Sequence, residues 1–108
     1  MRDFIEIGVD DLRAWKSSGK EYVLLDVRQP PELALASVDG ALTIPMTEVQ
    51  ARVAEIPADT PLVVMCHYGE RSARVARFLV TEGFDEVYNL DGGIDAYASH
   101  LDPTVARY

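Results

Sequence analysis

The 108 residues predict an α/β fold built around a parallel sheet. Two observations carry that prediction. Short apolar runs alternate with helical patterns, and the strongest runs, 22–27 and 61–66, are nearly continuous in apolar character. A strand covered on both faces has no solvent side to mark with polar residues, which is the condition of strands in parallel sheets.

Taken in order, residues 4–7 read as a first strand. Gly8-Val9-Asp10 leads into a helix with Leu12 and Trp15 on its apolar face, ended by the turn chemistry of Ser17-Ser18-Gly19-Lys20. The run 22–27 is the second strand, stopped by Pro30-Pro31. Residues 41–45 form a short third strand closed by Pro45. Thr47 is placed to cap a helix running to Glu55, with Glu48 near its positive end. The run 61–66 is the fourth strand. Beyond the loop 67–71, residues 72–82 put Val75, Ala76 and Leu79 on one helical face, and Gly83 ends that helix. Residues 87–90 are the fifth strand, and Asp91-Gly92-Gly93 turns into a last helix over 94–99. Trp15 and Phe78 are assigned to the core. No repeat, linker or low-complexity tract interrupts the pattern, so 1–108 reads as a single domain.

Composition narrows the function. A net charge of −8 disfavours nucleic acid and anionic membrane as partners, because both require a positive surface. No segment approaches the ~20 apolar residues of a membrane span, and residues 1–6 lack the apolar stretch of a signal peptide. The single cysteine permits no intrachain disulfide and suits a reducing, cytoplasmic setting. One cysteine with two histidines far apart gives no metal-ligand spacing, so neither metal nor cofactor is expected.

The segment with chemical potential is Cys66-His67-Tyr68-Gly69-Glu70-Arg71-Ser72. A cysteine ends a buried strand, a short loop follows, and a helix begins near Ser72. That order aims loop N–H groups and a helix N-terminus at one sulfur, where they stabilise negative charge and favour a nucleophilic thiolate. Gly69 allows the loop its turn, and Arg71 offers a permanent charge and a planar fork to an anion. Taken alone, a lone cysteine is more often an inert buried residue. The surrounding glycine, arginine and helix start favour the reactive reading.

These residues resemble the rhodanese-like family, whose sulfur loop runs Cys, four residues, Arg, then Ser or Thr. Three further blocks are similar and occur in family order: Asp26-Val27-Arg28-Gln29-Pro30 with Glu32 close behind, Gly40-Ala41-Leu42-Thr43-Ile44-Pro45, and Gly83-Phe84 through Leu90-Asp91-Gly92-Gly93. The resemblance spans roughly residues 5 to 98. It departs from the pattern at Ala36-Ser37-Val38-Asp39 and at Tyr97, where a tryptophan is common.

The resemblance implies a parallel sheet of about five strands flanked by helices on both faces. It also implies a sulfurtransferase in which Cys66 carries sulfane sulfur as a persulfide. The sulfur comes from a small thiosulfate-like anion and passes to a thiol, cyanide or a protein acceptor. His67, Tyr68, Gly69, Glu70, Arg71 and Ser72 form the binding loop, with Asp26 and Arg28 in support. His67 is expected at the pocket rim in preference to acid–base work. Glu70 must point outward, because a carboxylate inside the loop opposes an anion. Asp26 either orients Arg71 or helps close the site edge, or is a carboxylate satisfied at a strand end. Arg28 is expected to pair with Glu32, with donor steering as the alternative. Arg74, Arg77 and His100 are expected at the surface. Two rivals remain: a non-catalytic binding or regulatory module of the same fold, and a phosphatase or arsenate reductase. The phosphatases of similar fold have five loop residues between cysteine and arginine, against four here, which disfavours phosphate chemistry.

Overall fold

The computed structural model describes residues 3–108. Five parallel strands form one sheet in the order β1-β5-β4-β2-β3: β1 Ile5–Ile7, β2 Val23–Asp26, β3 Leu42–Thr43, β4 Leu62–Met65 and β5 Val87–Leu90. The continuous apolar runs are β2 and β4, neighbours in the interior of the sheet, as burial on both faces requires. Side chains alternate along β4. Leu62, Val64 and Cys66 join Val75, Ala76 and Leu79 of α3 (Glu70–Thr81) on one face. Val63 and Met65 join Leu12 of α1 (Val9–Ser18) and Ile94 of α4 (Gly93–Ala96) on the other. No helix among the described residues is long and apolar enough to cross a membrane.

The connections set the location of the site. The chain leaves β2 towards β3 and leaves β4 towards β5, in opposite directions across the sheet. The carboxyl ends of β2 and β4 therefore flank a topological switch point, where α/β sheets open a crevice. Asp26 ends β2 and Cys66 follows the end of β4.

Several elements differ from expectation. Pro30-Pro31 does more than stop a strand: it opens the helix α2, Pro30–Leu35. Proline suits the first helical position because its missing N–H would be unbonded there anyway, and the Glu32 carboxylate accepts the Gln29 N–H at 3.1 Å. The helix expected from Thr47 to Glu55 is two 3-10 turns, Met46–Glu48 and Val53–Glu55, and Thr47 makes no capping bond. Only Val49 and Ile56 of this stretch are buried, and Arg52 ties the turns together through Glu48 at 3.0 Å and Glu55 at 2.9 Å. The third strand is shortened to Leu42–Thr43, since Pro45 has no N–H for the ladder. Helix α3 begins at Glu70, two residues early, directly after Gly69. The last helix is α-helical over Gly93–Ala96 and continues as a π-helical turn, Tyr97–Leu101. Trp15 and Phe78 are partly buried and pack against opposite core layers.

Candidate active site

Cys66 sits at the C-terminal edge of β4 with 1% of its surface exposed. Its sulfur receives two hydrogen bonds: the Gly69 N–H at 3.1 Å and the Ser72 hydroxyl at 3.3 Å. Both donors favour negative charge on the sulfur. Gly69 has φ +116°, a conformation that L side chains rarely adopt, and this lets its amide turn back to the residue three before it. The sulfur adjoins a pocket of about 200 Å³ lined by Cys66, His67, Tyr68, Glu70 and Arg71.

The loop is held from behind by its carbonyls. The Ile94 N–H donates to the Cys66 carbonyl at 2.9 Å, and the Asp95 N–H to the His67 carbonyl at 3.2 Å. The buried Asn89 side-chain amide donates to the Gly69 carbonyl at 3.1 Å and to Glu6 at 3.0 and 3.1 Å. Its own oxygen lacks a hydrogen-bond partner, so its orientation serves those acceptors. In a trans peptide the C=O and the next N–H point in opposite directions. Tying back the Cys66 and His67 carbonyls thus sends the His67 and Tyr68 N–H groups away from α4.

Gly93 makes this close approach possible. With φ +54°, its Cα lies so near the loop that a Cβ would sit 2.4 Å from the Cys66 carbonyl oxygen. The sequence marked Gly92-Gly93 as a turn but gave no sign that it backs the cysteine loop. Asn89, a polar residue inside an apolar strand, was the other readable signal.

The two supporting residues behave differently from expectation. Arg28 does not pair with the Glu32 carboxylate and cannot steer a donor, because it is fully buried. Its guanidinium grips Asp26, Nε to Oδ1 at 2.9 Å and Nη2 to Oδ2 at 2.7 Å. Its other donors reach the Ala36 carbonyl at 2.8 Å, the Glu32 carbonyl at 3.3 Å and the Tyr108 hydroxyl at 3.1 Å. Asp26 is fully buried in this pair and is not what orients Arg71.

Glu32 holds Arg71. The guanidinium meets the carboxylate in a fork, Nη1 to Oε1 at 2.6 Å and Nη2 to Oε2 at 2.8 Å. The Tyr108 hydroxyl donates to Oε2 at 2.8 Å. Arg71, with help from Tyr108 and the Gln29 N–H, holds the Glu32 carboxyl far below its ordinary value, at about 2. The same pairing raises Arg71. Tyr108 gave no signal in the sequence, since an isolated tail aromatic has no pattern to belong to.

His67 lies at the rim. Its ring is stacked between Tyr68 and Tyr108, with centroids 3.9 Å away on each side, and Nε2 meets the Tyr108 backbone oxygen at 2.9 Å. A carbonyl accepts, so Nε2 carries the proton and is occupied. Tyr68 is 56% exposed. Glu70 is exposed at the pocket lip, as anion entry requires. Arg74, Arg77 and His100 are also exposed.

Comparisons with known proteins bear on the family and the fold. A profile of the rhodanese-like domain matches residues 9–100. The chain is 37% identical over 101 residues to a sulfurtransferase of Allochromatium vinosum, covering 94% of each protein. It is 35% identical over 100 residues to a probable adenylyltransferase/sulfurtransferase MoeZ of Mycobacterium tuberculosis, 91% of this chain against 26% of that one. It thus spans about a quarter of that relative's length. A rhodanese-related protein from Thermoplasma volcanium superimposes with a TM-score of 0.83 at 28% identity, over 97% of this chain and 100% of the other. The sheet order, the cysteine at the switch point and the extent of the match together place the chain in the rhodanese-like family.

Proposed function

We propose that this protein is a sulfurtransferase, a single rhodanese domain that works through a persulfide on Cys66. The observation that carries the reading is the pair of donors on the sulfur, the Gly69 amide and the Ser72 hydroxyl, at the wall of a pocket. Relatives named as sulfurtransferases support the reaction class. In the first half-reaction the Cys66 thiolate attacks the outer sulfur of a donor such as thiosulfate. The donor S–S bond breaks, sulfite leaves with the electron pair, and Cys66 becomes an anionic persulfide. In the second, cyanide or an acceptor thiolate attacks the terminal sulfur and restores the Cys66 thiolate; cyanide leaves as thiocyanate. The chemistry is nucleophilic and covalent, and fixed donors stabilise sulfur charge without rearrangement. A working thiol suits a reducing compartment, and we place the protein in the cytoplasm. Arg71 is already forked onto Glu32, which argues against a phosphate cradle.

Thiosulfate with cyanide, assayed beside Cys66→Ser, tests the proposal. The parent should form thiocyanate and gain the mass of one sulfur atom, removable by a thiol reductant, and the variant should do neither. Equal turnover by the variant would overturn the role of Cys66, and a parent that forms no thiocyanate would leave a binding module as the reading.

A further inference from the structure

The sulfur pocket carries almost no free positive charge. Arg71 is the one guanidinium or ammonium among the described residues lining it, and its fork is closed on Glu32. Glu32 cannot swing aside easily, because both its oxygens also receive other donors: the Gln29 N–H and the Tyr108 hydroxyl. The Tyr108 hydroxyl is in turn fixed by accepting from buried Arg28, which is locked to Asp26. A line of alternating charge thus runs from the interior to the pocket wall, and Arg71 is its last member. Glu32 stays ionised at every working pH, since its carboxyl is held at about 2. The next charged group at the pocket is exposed Glu70, and the whole chain carries −8. A dianion therefore approaches a compensated arginine, a carboxylate at the lip and an acidic surface.

On the persulfide reading above, we propose that Glu32 is a specificity-determining residue: by closing Arg71 into a neutral pair, it makes the Cys66 pocket favour organic sulfane donors of low net charge, such as an amino-acid persulfide, over the thiosulfate dianion. The loading step balances without a redox partner. The Cys66 thiolate attacks the terminal sulfur of R–S–SH, the new S–S bond forms, and the donor S–S bond breaks. R–S⁻ leaves with the electron pair, and the proton stays on the terminal sulfur of the Cys66 persulfide.

The test compares kcat/KM for thiosulfate and for cysteine persulfide in the parent, Glu32→Gln and Glu70→Gln, with Cys66 loading followed by intact mass. The parent should favour cysteine persulfide by about tenfold or more, the order of one uncompensated charge at a partly shielded site. Glu32→Gln keeps the side chain's shape and removes its charge. It should raise kcat/KM for thiosulfate about tenfold, mainly by lowering KM, and move cysteine persulfide less than about twofold. Glu70→Gln changes an exposed side chain, so it decides the matter even if the first variant folds poorly. It should give a smaller gain, about twofold, for thiosulfate alone, and salt should erase that gain. A parent that prefers thiosulfate, or variants that shift both donors alike, would overturn the inference and leave the persulfide reading standing. A parent that loads sulfur from neither donor would sink both.

Discussion

Gly93→Ala should dislodge the cysteine loop from a residue that is nowhere near the sulfur in sequence. The new methyl would lie 2.4 Å from the Cys66 carbonyl oxygen, 2.5 Å from that of His67 and 2.6 Å from the His67 carbonyl carbon. All three are backbone atoms that cannot rotate away, so the loop or the Gly92-Gly93 turn must move. The left-handed conformation costs alanine about 1–2 kcal/mol, and forcing a methyl into a packed site about 1–3 kcal/mol more. The sum, roughly 3 kcal/mol, is a large part of the ~5–15 kcal/mol that stabilises a domain of this size. With a urea slope of about 1.5 kcal/mol per molar, the midpoint should fall by about 2 M. Below that midpoint, where the variant is still folded, sulfur loading of Cys66 should be slow, because the Ile94 and Asp95 bonds that tie back its carbonyls stretch first. Gly8→Ala is the control. Its methyl meets nothing within 4 Å, and it should cost under about 1 kcal/mol. A Gly93→Ala protein with the parent's midpoint and loading rate would refute the claim that this turn shapes the loop.

Other perturbations separate the remaining parts. Arg28→Ala leaves Asp26 as an unpaired charge in a fully buried position, so urea unfolding should show a loss of about 3–5 kcal/mol; a loss under about 1 kcal/mol would remove the pair from any structural role. Asn89→Asp puts a carboxylate against the Glu6 carboxylate and the Gly69 carbonyl, both acceptors. It should cost about 2 kcal/mol and slow alkylation of Cys66 by iodoacetamide; parent values in both measurements would exclude Asn89 as the anchor of Gly69. Glu32 has its folded value depressed by Arg71, so its contribution is complete above the unfolded value of 4.5 and fades as pH falls towards about 2. Urea midpoints taken from pH 6 to pH 2.5 should therefore drop by an amount that Glu32→Gln reduces, about 1–3 kcal/mol after solvent screening of a partly exposed pair. Identical slopes in parent and variant would contradict the assignment.

The parts legible in the sequence were those written in local pattern. β2 and β4 were readable because burial on both faces leaves a continuous apolar run, and the sulfur loop because one strand, one glycine and one helix start lie within a few residues. Position within the fold was not legible. Asp26, Arg28 and Glu32 fall within seven residues, and their pairing depends on which way each side chain leaves the backbone. Arg28 turns inward to Asp26, and Glu32 projects from α2 to a residue 39 positions later. The helix opened by the proline pair was missed because proline both ends strands and begins helices, and the Gln29–Glu32 bond that marks the helix start is not written in local pattern. Tyr108 meets the site across 76 residues, a separation that no periodicity records.

Local and distant charge act here on different steps. The donors on the Cys66 sulfur lie 3.1 and 3.3 Å away and are shielded from water, so on the proposed mechanism they act on the sulfur's negative charge before and after loading. Most of the chain's acidic residues are on the surface, where water and salt screen them, and they have less hold on the buried sulfur than donors in direct contact. A donor arriving from solvent crosses that field before it meets any amide, and the Glu32–Arg71 pair leaves no free guanidinium or ammonium among the described residues that line the pocket. Acidity and an anion-stabilising loop are therefore compatible in one molecule: on the proposed function, the first bears on which donors arrive and the second on what happens to the sulfur they bring.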